Sequence, residues 1–175
     1  MPEKIIQSEL KTRHYMDEDI VQTLQKQVLI MPELINKDSE YQLVRGDVSD
    51  INKVLAQAGY QTEIVLDKNL KRRALVQKDA SIILPLILFA SNIPINIATG
   101  FIANWLSIRF PQGHQTDIKY EHARFGPDGK IVDYVKFEGK SEEVVEILKS
   151  GKFQSIGHKP VIRTVKKKVS KSHGN

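Results

Sequence analysis

The chain has 175 residues, 41% of them hydrophobic and 27% charged, with a net charge of +5 and no cysteine. That length accommodates one well-buried core, and the composition excludes a collagen-like, low-complexity or wholly disordered chain. Without cysteine there is no disulfide, thiolate zinc site or cysteine nucleophile, which agrees with a reducing compartment.

The positive charge is concentrated at one end. From Lys159 onward come Lys159, Arg163, Lys166, Lys167, Lys168 and Lys171 with no acid, so removing these six leaves the first 158 residues near −1. The basicity belongs to a tail, and residues 158–175 are expected to be flexible. The opening segment has no basic region followed by an apolar one, so no secretory signal is expected; the expected location is the cytoplasm, with the membrane as the alternative.

In chain order, "DEDIVQTLQKQVLI" spaces Ile20, Val21, Leu24 and Val28 as a helix over about 17–30, standing as a separate arm. "YQLVRGD" reads as a short strand. Val48, Ile51, Leu55 and Ala58 recur at helical spacing, and Gly59 suits the left-handed residue that ends a helix. "YQTEIVLD" alternates as a half-buried strand, "DKN" makes a turn, and "KRRALVQK" is expected to return as its antiparallel partner.

From Ala80 to Ile108 there are 29 consecutive residues without a charge. About 20 apolar residues suffice to span a bilayer, and Trp105 and Arg109 resemble interfacial anchors. Against a span stand Pro85, Pro94 and the amides of Asn92, Asn96 and Asn104, which lipid cannot satisfy. The favoured reading is a long apolar helical segment over about 81–108, broken near Pro94, with Asn92 capping its second half. Leu88, Phe89, Asn92, Pro94, Asn96, Gly100, Phe101, Asn104 and Trp105 are its candidates for self-association or partner docking.

Beyond this run, "DIKYEHARF" and "KIVDYVKFEG" flank "GPDG", the pattern of a hairpin, with Ile131, Val135 and Phe137 on one face. "SEEVVEILKSG" follows as a helix with Ser141 as N-cap, two acids in its first turn, Val144, Ile147 and Leu148 on the buried side, and Gly151 past its end. Together these elements describe a single α+β domain over residues 1–157, with a mainly antiparallel sheet, packed helices and a basic C-terminal tail. The layout of an apolar glycine-containing helix with Trp105-Leu106 and a following Arg109, then a hairpin and a short helix, spans about residues 97–150. It resembles small accessory components of bacterial conflict systems, and the resemblance implies an accessory role.

Catalytic patterns are missing. Gly139-Lys140-Ser141 resembles the end of a phosphate-binding loop, but Tyr134 stands where that loop needs its first glycine. The histidines (His14, His114, His122, His158, His173) form no metal-ligand spacing. Glu121 and His122 are strand neighbours and point to opposite faces. No catalytic residue, metal or cofactor is assigned. The expected function is a non-enzymatic interaction or accessory protein whose apolar hairpin mediates self-assembly or docks a protein partner. One alternative is a single-pass or peripheral membrane protein. The other is a nucleic-acid-binding accessory protein, whose tail lysines and arginine contact phosphates without sequence specificity.

Overall fold

The computed structural model describes residues 27–31, 33–34, 40–66, 68–75, 81–111 and 116–151. Within them lie strands β1 (Val28–Met31), β2 (Glu33–Leu34), β3 (Tyr41–Arg45), β4 (Thr62–Ile64), β5 (Lys71–Leu75), β6 (Ser81–Ile83), β7 (Leu86–Phe89), β8 (Asp117–Phe125) and β9 (Ile131–Lys140). Helices α1 (Gly46–Gln57), α2 (Ile95–Arg109) and α3 (Ser141–Ser150) complete them. The architecture is mixed α/β with a core made mainly of sheet.

The larger sheet runs β4-β1-β7-β8, with β6 also on β8 and β9 on the far edge of β8. It is mixed rather than mainly antiparallel. β1 runs parallel to β4 and antiparallel to β7, while β8 runs parallel to both β6 and β7 and antiparallel to β9. The parallel neighbours β7 and β8 are joined through α2, so the crossover supplies a helix where a hairpin would have sufficed for antiparallel strands. A smaller sheet, β2-β3-β5, pairs β5 with β3 in parallel. Lys71–Leu75 of the "KRRALVQK" segment therefore does not return against β4 as expected but pairs with β3; residues 76–78 lie outside the described residues.

The charge-free run is the main correction. Its first half is strand, not helix: β7 lies in the interior of the sheet between β1 and β8, β6 pairs with β8 alone, and Leu84 through Ala90 are buried. Strands covered on both faces lose the alternation of a half-exposed strand and read as continuous apolar runs. That is why "IILPLILFA" mimicked an apolar helix. Only the second half is helical, and no helix among the described residues is long and apolar enough to cross a membrane. The arm helix expected over 17–30 is corrected at its end, because Gln27 is a bend and Val28–Met31 form β1; residues 17–26 lie outside the described residues.

β6 and β7 act as one interrupted strand against β8. Ile83 faces Lys119 and Ile87 faces His122, so three residues intervene on one side and two on the other. The extra residue falls at Leu84–Pro85, where proline offers no N–H to the ladder. The bulge turns the alternation over. Ile82 shares its face with Ile118, whereas Ile87 and Phe89 share theirs with His122 and Arg124.

The β8–β9 hairpin forms as expected, with its own irregularity. The register slips between Arg124 and Phe125, so Phe125 faces Ile131 while Arg124 faces Asp133. Ile131 is thereby carried to the opposite face from Val135 and Phe137, correcting the shared stripe. α3 follows β9 directly and covers the face of Ile118 and Gly139: a β-carbon on Gly139 would stand 3.8 Å from Val144. The cap position of α3 is Lys140, not Ser141; the Lys140 backbone N–H donates to the Glu143 carboxylate at 3.3 Å. Gly151, with φ of 61°, terminates the helix.

Candidate interaction face and the buried polar row

α2 is uncharged from Ile95 to Ile108. Pro94 occupies its cap position and no side chain caps it, so Asn92 does not play the capping role expected of it. The helix has one firmly packed side. Ile95, Ala98, Thr99, Ile102, Ala103 and Leu106 are buried, and the Thr99 hydroxyl lies 2.9 Å from the Ile95 carbonyl and 3.3 Å from the Leu148 carbonyl of α3. The Asn96 side chain packs at the C-terminal end of α3, within 3.6 Å of where a Gly151 β-carbon would stand.

The other side of α2 is open. Ile97 is 56% exposed, Phe101 37% and Ile108 83%, and these are the large hydrophobic side chains left exposed among the described residues. They recur at i, i+4 and i+11, with exposed Asn104 at i+7, and so lie in one row along the helix. Half-buried Gly100 and Trp105 flank the row. A β-carbon on Gly100 would meet nothing within 4 Å. Tyr60 braces Phe101 edge-on, with ring centroids 6.5 Å apart. At the helix end, Arg109 lies 5.7 Å from the Trp105 ring and 3.7 Å from the Asp50 carboxylate, marking a polar margin.

The structure thus divides the sequence-derived candidates. Phe101, Gly100, Asn104 and Trp105 come together on the open side of α2, while Asn92, Pro94 and Asn96 are exposed at its N-terminal approach. Leu88 and Phe89 are fully buried in β7 and are removed from the candidate surface. Ile97 and Ile108, which the sequence reading passed over, dominate the row; helical spacing from Phe101 was the signal that identifies them. Lys159, Arg163, Lys166, Lys167, Lys168 and Lys171 lie outside the described residues.

A second feature sits inside the sheet. Tyr120, His122 and Arg124 share one face of β8. His122 Nδ1 lies 2.9 Å from the Tyr120 hydroxyl, and both rings are buried. Phe89 meets the His122 ring edge-on at 5.5 Å. Burial, reinforced by the positive charge of Arg124, holds His122 down to about 3, so the imidazole is neutral at physiological pH. Arg124 pairs with Asp133 across the hairpin. On the opposite face Glu121 accepts a hydrogen bond from the Tyr134 hydroxyl. Tyr120 pairs with His122, Arg124 with Asp133 and Glu121 with Tyr134, although the Arg124 Nε is buried without a partner among the described residues, and Glu121 and His122 are kept on opposite sides of the strand. Among the described residues no group of three or more His, Asp or Glu side chains is placed to hold a metal ion.

No family model, curated protein or solved structure compared with this chain matches it.

Proposed function

We propose that this chain is a non-enzymatic interaction protein of the cytoplasm that self-associates through the open row of α2. The observation that carries this reading is the alignment of Ile97, Phe101 and Ile108 on one exposed, uncharged helical face. A second copy of the chain is the occupant that the face suits best. It carries no charge to repel its own duplicate, and Gly100 leaves room for a facing helix to approach closely. Antiparallel pairing about a two-fold axis sets the N-terminus of each α2 beside the C-terminus of the other, a favourable arrangement of helix dipoles.

The magnitude predicts weak association. Three apolar side chains from each copy contribute about 1.5–3 kcal/mol apiece when fully buried, less here because they start only partly exposed. Association costs about 4–15 kcal/mol in lost freedom. The surplus suits a reversible, concentration-dependent dimer.

Sedimentation velocity on the full chain across the micromolar range tests this reading. The wild type is expected to sediment faster as concentration rises, and Ile97→Glu with Ile108→Glu to remain monomeric with unchanged circular dichroism. A wild type that stays monomeric throughout, or a double variant that associates as before, would sink the proposal. Flotation of the wild type with phospholipid vesicles, lost in the same variant, would instead favour the peripheral membrane reading.

A further inference from the structure

The smaller sheet carries a cationic surface that the self-association reading does not use. Lys71, Arg72 and Arg73 are exposed on β5, and Lys68 is exposed in the turn before it. None of the four forms an ion pair among the described residues. β5 is an edge of its sheet, next to β3. Tyr41 on β3 lies directly beside Lys71 in the parallel register, and Arg73 follows on the same face two residues later. The Arg73 guanidinium carbon is 3.7 Å from the Tyr41 ring centroid, and the Lys71 ammonium is 5.8 Å from it. One half-buried aromatic ring therefore gathers two cations on the sheet surface.

That arrangement does more than keep an edge strand soluble, for which scattered lysines suffice. A guanidinium stacked on an aromatic face has its N–H donors fixed in a plane and directed outward, so less side-chain freedom is lost when it binds a phosphate. Lys71 and Arg73 stand roughly 6.7 Å apart along the strand, a repeat that an extended nucleic-acid backbone can follow from one phosphate to the next. The outer face of the Arg73 guanidinium, which lies over the Tyr41 ring, offers a surface for base stacking, a feature that an acidic peptide or a lipid headgroup does not exploit. We infer that the β3–β5 surface binds single-stranded nucleic acid without base specificity, through Lys68, Lys71 and Arg73, with Tyr41 ordering the cations.

Such binding has a definite salt signature. Three phosphate contacts to a single strand give a slope of about −2 in log affinity against log salt, or a loss of roughly 20-fold between 50 and 200 mM. Neutralising Lys71 and Arg73 together should flatten the slope by about 1.4.

The experiment measures fluorescence anisotropy of a labelled oligo(dT) strand with the full chain, so that the basic tail is present in every arm. Lys71→Gln with Arg73→Gln is expected to weaken binding at least about tenfold at 50 mM salt and to flatten the slope as stated. Tyr41→Leu, which keeps every charge, should weaken it several-fold. A third variant, with Lys166, Lys167 and Lys168 changed to Gln, measures the tail separately and should retain the larger part of the affinity. Absence of binding at low salt overturns the inference, as does a Lys71→Gln/Arg73→Gln variant within twofold of wild type. Equal competition by polyglutamate would also overturn it, assigning the surface to acidic proteins, and capture by phosphatidylserine vesicles without oligo(dT) binding would assign it to membranes.

Discussion

At the scale of single residues, the sheet interior stores a pH dependence. His122 is buried between Tyr120 and Phe89 and titrates at about 3, against an ordinary value of 6.5. Between those values the unfolded chain takes up a proton that the folded chain refuses. Its contribution to stability is therefore complete above about pH 6.5 and is lost as pH falls, with a limiting slope of about 1.4 kcal/mol per pH unit. Urea midpoints measured between about pH 7.5 and 5, above the range in which most carboxylates titrate, should show this decline. His122→Gln should lower the midpoint at pH 7.5 and flatten the profile below it. Loss of the Tyr134 hydroxyl tests the opposite face: Tyr134→Phe leaves the buried Glu121 carboxylate with one donor fewer and should destabilise by about 1–3 kcal/mol in the same assay.

At the scale of elements, two glycines are predicted to respond with opposite sign. Gly151 closes α3 in the left-handed region, so Gly151→Ala strains the backbone although its new methyl would meet Asn96 only at ordinary contact distance. A cost of about 1 kcal/mol is expected, read as a fall of roughly 2–4 °C in Tm. Gly100 sits in the interior of α2 with open space where a methyl would go. Gly100→Ala should raise Tm by a similar amount, because alanine loses less backbone freedom in a helix. The same variant brings a methyl group onto the open row and should weaken self-association while the fold gains stability.

The elements also show what the sequence could and could not reveal. α1, α3 and the hairpin were legible because each has a one-sided apolar pattern and punctuation at its ends, such as Gly59, Gly151 and the "GPDG" turn. β6 and β7 were not. The side chains of β7 are covered on both faces, which erases period-two alternation, β6 is only three residues long, and the Pro85 bulge shifts the phase within the run. Pairing partners were equally opaque, since β5 joins β3 and not its chain neighbour β4, a choice made by tertiary packing. Of the interaction face, the uncharged character was legible. Which side of α2 stays open depends on where α3 and α1 pack, and the sequence of α2 alone does not contain that.

At the scale of the whole molecule, stability should be unevenly distributed. β1 and β7 lie in the interior of the larger sheet and are wholly buried, and β8 is paired along both edges. β5 lies at the edge of the smaller sheet with exposed side chains. Native-state hydrogen exchange should find the slowest amides in β1, β7 and β8, opening only with global unfolding, and markedly faster exchange in β5. Uniform protection across both sheets would contradict this division. Nucleic acid bound to the smaller sheet should then slow exchange in β3 and β5 selectively.

The bulge at Leu84–Pro85 bears on how such a chain tolerates insertions and deletions. Leu86, Ile87, Leu88 and Phe89 are all apolar and all buried, so either phase of β7 would present hydrocarbon to both layers. Removing one residue at 84–85 would leave the composition of the strand intact yet exchange its two sides, sending Phe89 away from the His122 ring. A deletion scan should therefore find this position far less forgiving than its hydrophobicity implies, because what it encodes there is parity.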